Sequence, residues 1–275
     1  MLARLLDALR TRAVDIPSPL WEQTLAEHPF VQRLTGADDP QFRRLCGRLL
    51  QAKVMTGADG LQLTAAIQVS IAVQACLPIQ RLGLGWYRGW SGIVVYPAQF
   101  RAHRTVQDEA GLVHEFSETV AGEAWEGGPV IVSWAQGERD QAQADFACNV
   151  VIHEFAHKLD MLNGDADGLP ALDRRLHRGL EPHLWRRILD EAFNRFCAAV
   201  DLVELDLPDD VDPESSAADA YYAGLALDPY AAQDVAEFFA VSSEAFFVAP
   251  QRLCDAFPQW YALLSAFYLQ DPLAA

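Results

Sequence analysis

One stretch constrains this 275-residue chain more than any other: Asn149-Val-Val-Ile-His153-Glu154-Phe-Ala-His157-Lys158-Leu-Asp160, an HExxH pattern set among apolar residues. The apolar spacing predicts a helix over 143–161. Two histidines four apart on a helix are separated by about 400° of rotation, so both imidazoles converge on one ion. Imidazole nitrogen binds zinc at about 2.0–2.1 Å. Glu154 can reach an attacking water without ligating the ion, and can accept its proton as a general base. The fold must therefore bury a helix carrying two imidazoles and a carboxylate, which is costly unless something compensates them.

A hydrolytic zinc site takes a third protein ligand and keeps one position open. The metzincin extension of the motif places glycine three residues and histidine or aspartate six residues after the second histidine. Here Asp160 and Asn163 occupy those places, which excludes it. Asp160 lies on the same helix face but a turn too far along the rod, so it reads as an acceptor that orients a histidine or a neighbouring group. A second predicted helix, 231–247, offers Glu237 and Glu244 in an apolar setting where a charge needs a partner. Tyr230, Glu237 and Glu244 are spaced by seven, so they line one helical face, and that face can meet the metal.

Charge bears on what else the chain does. Against 21 Lys and Arg stand 38 Asp and Glu, a net charge of −17, which repels a phosphate backbone and disfavours direct nucleic-acid binding. Twelve acids and no Lys or Arg fall between Phe196 and Gln251. The part from 201 to 219, rich in Pro, Asp and Ser, reads as an exposed acidic loop. Calcium is the lesser alternative there, because the glycine-turn spacing of an EF-hand is absent.

With 51% hydrophobic residues the chain can bury a large core, and one compact body is expected. Five scattered cysteines without a CxxC pair fit a reducing compartment. The opening MLARLLDALRTR carries Arg4, Asp7 and Arg10 through its apolar run, and no stretch is long enough to span a bilayer, so a cytoplasmic protein without membrane attachment is expected. Helical spacing marks 2–11, 40–53, 61–76, 173–200 and 258–269. The β-branched runs WSGIVVYPAQF and GGPVIVSWAQ read as strands of a small sheet. A second triplet, His114-Glu115-Phe116, lacks the second histidine and reads as an ordinary strand or surface feature.

The segments LGLGWYRGWSGIVVYPAQF, GPVIVSW, VVIHEFAHKLDMLNGD, DPYAAQDVAEFFAVSSEAFF and FYLQDPL, in this order, resemble the Mlc titration factor A (MtfA) family of zinc peptidases, whose core is similar to the protease domain of anthrax lethal factor. The resemblance implies His153, His157 and Glu237 as ligands of one Zn2+, Glu154 as the catalytic base and Tyr230 as a phenol close to the metal. A tyrosine there can donate a hydrogen bond to a developing oxyanion. Glu244 stays outside the ligand set, in contact with a ligand histidine.

The implied fold is α+β: one zincin-like metalloprotease domain over 1–275, with a small mixed sheet, the HExxH helix and a second ligand-bearing helix. A largely helical part (1–78) precedes the catalytic core (79–275). The implied activity is an aminopeptidase-like zinc peptidase acting on a peptide or protein substrate. The family name adds a Mlc-like transcriptional repressor of sugar uptake as a partner, and a non-catalytic protein that sequesters such a repressor is the alternative. The substrate main chain is expected to add as a strand along PVIVSW.

Overall fold

The computed structural model describes residues 13–36, 39–98, 100–107, 113–120, 122–124, 127–135, 148–208, 210–213, 215 and 217–274. The expected helix at 2–11 and residues 143–147 of the expected HExxH helix lie outside them.

Among the described residues four helices come first: α1 (Ser18–Glu27), α2 (Pro29–Thr35), α3 (Pro40–Ala52) and α4 (Ala65–Cys76). Between the last two lies a strand, β1 (Val54–Gly57). Prolines open many of this chain's helices, because a residue at N1 has no intrahelical partner for its N–H and gains from a preset φ. Pro29 and Pro40 begin α2 and α3, and the Asp39 side chain caps α3 by accepting from the N–H groups of Gln41 and Phe42 at 2.8 and 3.1 Å. Helices α1 and α2 and strand β1 were not expected from the spacing. A proline inside each helical run reads as a break when it is in fact a start.

The sheet follows: β2 (Gly92–Tyr96), β3 (Phe100–Gln107), β4 (Val113–Val120), β5 (Gly122–Ala124) and β6 (Val130–Ser133). One four-stranded sheet has the order β1-β2-β6-β5; β1, β2 and β6 run parallel and β5 is antiparallel to β6. Strands β3 and β4 form a separate antiparallel hairpin, and the His114-Glu115-Phe116 triplet lies on β4. Two expectations change here. Val54–Gly57, from the part expected to be helical, supplies one edge of the sheet. The PVIVSW segment is internal, since β6 is paired on both sides, and the edge beside it is β5.

Helix α5 (Val150–Asp160) carries HExxH, and every one of its residues is buried. It packs against α4, β5 and β6, with the rings of Tyr87 and Trp90 5.0 and 5.7 Å from that of Phe155. The next helix, α6 (Pro182–Leu205), starts later and ends later than the expected 173–200. Residues 173–181 are instead turns pinned by His177, whose Nδ1 accepts from Asp173 N–H and whose Nε2 donates to Phe267 O, each at 3.0 Å. The acidic stretch is helical through Leu205, and only from Asp206 does it leave the helix before the short α7 (Asp219–Tyr222). Buried Val200 extends the packed stripe of α6, while Leu202 and Leu205 are 65% and 80% exposed.

The chain closes with α8 (Val235–Val248), α9 (Pro250–Ala256) and α10 (Pro258–Tyr268). Trp185 of α6, Phe238 and Phe239 of α8, and Trp260 and Phe267 of α10 form an aromatic cluster with neighbouring ring centroids 5.1–6.4 Å apart. One set of mutually packed buried residues runs from Ile16 to Tyr268. No described helix is long and apolar enough to cross a membrane.

Candidate metal centre

The site is assembled where α5 meets α8. Asn149 caps α5, its side chain accepting from Ile152 N–H at 2.9 Å, and Asp234 caps α8 by accepting from Ala236 and Glu237 N–H at 2.8 and 2.9 Å. These caps fix where each helix begins, and with it the direction of the ligands in its first turn. Glu237 lies in that first turn, where the positive end of the helix dipole favours a carboxylate.

Among the described residues, the group of side chains placed to hold a metal is His153, His157 and Glu237. His153 Nε2 is 3.1 Å from His157 Nε2 and 3.0 Å from Glu237 Oε2, and His157 Nε2 is 3.4 Å from the same oxygen. Ligands of a tetrahedral ion at about 2.0–2.1 Å are separated by about 3.3–3.4 Å, so the observed triangle has the size of one face of such a tetrahedron.

Proton placement agrees. Glu244 Oε1 lies 2.7 Å from His153 Nδ1, and a carboxylate can only accept there, so Nδ1 carries the hydrogen and a neutral ring turns its Nε2 lone pair to the centre. A His157 ring in the matching tautomer turns a second lone pair toward Glu237 Oε2, an arrangement that a bound cation stabilises. The titration shifts reflect the same grouping. Burial alone would lower the His153 pKa, but hydrogen bonds to Glu237 and Glu244 hold it well above the usual histidine value. Burial would raise Glu237, yet its contacts with His153 and His157 hold it well below the carboxylate range.

Around this triangle sit the other expected residues. Glu154 is buried on the next position of α5. Tyr230 is not on the same helix as Glu237: it belongs to a 3₁₀ turn, Pro229–Ala232, which the Asp228 side chain caps by accepting from Tyr230 N–H at 2.9 Å. The seven-residue spacing is therefore no guide to its position, but the turn still sets its ring over the site, 6.1 Å from that of His153 and 44% exposed. Asp160 makes no hydrogen bond to His153 or His157. It is fully buried, and its Oδ2 accepts from Gly168 N–H at 2.8 Å. Burial raises its pKa to about 7. The effect is to hold the loop after α5 against the start of α8, where a Cβ on Gly168 would come within 2.6 Å of Val235 O.

Gly122 was not anticipated. A Cβ built on it would lie 2.2 Å from Glu154 Oε1 and 2.6 Å from its Cδ, so the backbone of β5 rests directly on this carboxylate. Only glycine permits that approach. No sequence pattern marked it, because Gly122 and Glu154 are 32 residues apart and on different elements. Lys158, one turn after Glu154 on the same face of α5, donates from Nζ to Gly128 O at 3.0 Å beside the Trp90 ring.

The chain is similar over most of its length to a set of named bacterial proteins. It is 36% identical over 255 residues to Mlc titration factor A of Klebsiella pneumoniae, covering 92% of this chain and 87% of that protein. The proteins of the same name from Salmonella arizonae and Salmonella typhi are also 36% identical, again over 92% of this chain and over 91% and 86% of theirs. Residues 4–269, which include the four-stranded sheet and the two helices that carry His153, His157 and Glu237, match the family described as glucose-regulated metallo-peptidase M90. With two imidazoles and a carboxylate converging inside that span, the chain belongs to this metallopeptidase family.

Proposed function

We propose that the protein is a zinc-dependent peptidase with an aminopeptidase-like preference, built as a single zincin-type unit over 1–275 and working in the cytoplasm, where its five cysteines stay reduced. The observation that carries this is the triangle of His153 Nε2, His157 Nε2 and Glu237 Oε2, whose 3.0–3.4 Å sides suit a tetrahedral ion. Two imidazoles and one carboxylate are a ligand set that zinc favours in hydrolytic sites. When bound, zinc supplies Lewis acidity toward a substrate carbonyl and eases ionisation of water.

The chain's own residues do the rest. Glu154 takes the proton of the attacking water at its carboxylate and passes it to the leaving amine. The Tyr230 hydroxyl, on a half-exposed ring beside His153, donates a hydrogen bond to the oxygen that gains charge as the carbonyl is attacked. Strand β5, paired on one side only among the described residues and resting on Glu154, offers its open edge to the substrate main chain. The test is Glu154→Gln, assayed on amino-acid p-nitroanilides and a peptide mixture, with zinc measured by elemental analysis. Zinc stays near one per chain while turnover falls by at least about 10²-fold; an unchanged turnover overturns the mechanism.

The relatives' name favours a second role, capture of a Mlc-like repressor. It separates from catalysis in one experiment. If immobilised Glu154→Gln protein retains such a repressor as well as the native protein does, capture is independent of hydrolysis.

A further inference from the structure

Glu244 is one link in a longer buried chain. Its Oε1 meets His153 Nδ1, and its Oε2 accepts from the backbone N–H of Asn149. The Asn149 side chain turns both its ends to use: Oδ1 accepts from Ile152 N–H to cap α5, and Nδ2 donates to Gln74 Oε1 at 2.8 Å. Gln74, on α4, donates in turn from Nε2 to Ser70 O at 3.0 Å, and Ser70 Oγ lies 2.7 Å from His28 Nε2, at the junction of α1 and α2. His28, Ser70, Gln74, Asn149, Glu244 and His153 are all at most 7% exposed.

A helix cap does not need this. Serine or aspartate at position 149 would cap α5 as well as asparagine does. What asparagine adds is a donor aimed at Gln74, which sits on a helix whose neighbours from Val69 to Cys76 are buried. Burying a glutamine amide there is costly unless both its ends are bonded. From Gln74 through Asn149 and Glu244 each link is hydrogen-bonded to the next, which holds the path in place, and it ends on an imidazole whose orientation the metal centre needs.

We propose that Gln74 and Asn149 are positioning residues for the metal centre: they hold Glu244, and through it His153, so that helix α4 sets how tightly a divalent transition metal is bound. This rests on the reading that His153, His157 and Glu237 hold a metal. The N-terminal helices are then part of the metal site's support, not a separate layer placed beside it.

Two variants break the link in different ways. Gln74→Met keeps the volume but removes the acceptor, and Asn149→Ser keeps the helix cap but removes the donor. Zinc affinity is measured by chelator competition on the full chain, and the visible absorption of the Co2+-substituted protein reports ligand geometry. Each variant weakens zinc binding on the order of 5-fold, less than the 10–100-fold typical of a residue that touches a ligand directly, and shifts the cobalt bands. In a Glu244→Ala background, Gln74→Met causes no further loss, because the path to His153 is already cut.

The proposal is overturned if both variants keep zinc affinity within twofold and leave the cobalt bands in place, whatever happens to the melting temperature. An equal loss from Gln74→Met with and without Glu244 overturns it too, since the effect would then bypass His153. A native protein that binds neither zinc nor cobalt overturns the metal reading itself, a result distinct from either of these.

Discussion

A methyl group on Gly122 tests the placement of Glu154 without touching any proposed metal ligand. The Cβ of Gly122→Ala would lie 2.2 Å from Glu154 Oε1, 2.6 Å from Cδ and 2.7 Å from Cγ, while ordinary van der Waals contact begins at 3.4 Å. The overlap with the carboxylate oxygen is thus about 1.2 Å, and because Cγ is also struck, rotating the tip of the side chain does not relieve it. Misplacing a reacting group by about 1 Å costs on the order of 10²-fold in rate, or about 2.7 kcal/mol of barrier. The expected result is a turnover number about 10²-fold lower, with KM near its native value and zinc still at one per chain. Steady-state kinetics on the best p-nitroanilide, with elemental analysis on the same sample, reads all three. A turnover number within threefold of native refutes the reasoning, and so does a raised KM with turnover intact, which would mean that β5 and not Glu154 had moved.

Glu244→Gln keeps a hydrogen-bond acceptor for His153 Nδ1–H but removes the charge, so zinc affinity falls about 10–100-fold, as chelator competition will show. His28 is buried and its pKa is held down to about 4 by that burial, partly offset by Glu27. A depressed histidine binds its proton first in the unfolded chain, so stability is intact above pH 6.5 and falls by up to about 3 kcal/mol as pH drops from 6.5 to 4. Urea melts of His28→Gln across that range should show a flatter acid limb than the native protein, and equal slopes would count against it. Phe155→Ala removes a fully buried ring packed against Tyr87 and Trp90 and should cost about 3–5 kcal/mol in the same melts.

The elements legible in the sequence were those whose signal is local. The spacing in VVIHEFAHKLD makes a helix with two imidazoles on one side, and α5 is that helix, although it begins at Val150 behind the Asn149 cap, so that Cys148 and Asn149 lie outside it and not within it as expected. The β-branched runs became β2 and β6. The short elements α2 and α9, seven residues each, were hidden because proline punctuates loops and opens helices alike and too few residues follow it to show a period, whereas α3 and α10 also begin on proline but run long enough to be read. The acidic stretch misled in a different way: Asp201 and Glu204 were read with the loop that follows, although Val200 and the apolar residues around it keep α6 going to Leu205. Charge density and helical continuation are independent, since a helix needs only one packed face.

What the sequence by itself determined is the chemistry that must converge: two histidines one turn apart, a carboxylate between them, and two more glutamates on one face of a later helix. Spacing alone left Glu237 and Glu244 equivalent, because residues seven apart point the same way along a helix, and only the family resemblance separated them. They are about 10 Å apart along the axis of α8, and only the way α8 lies against α5 sends Glu237 to His153 Nε2 and Glu244 to Nδ1. The same holds for Gly122 under Glu154 and Gln74 beneath Asn149, contacts across 32 and 75 residues. Local periodicity records which face a residue occupies, and the partner that face meets depends on how separate elements pack.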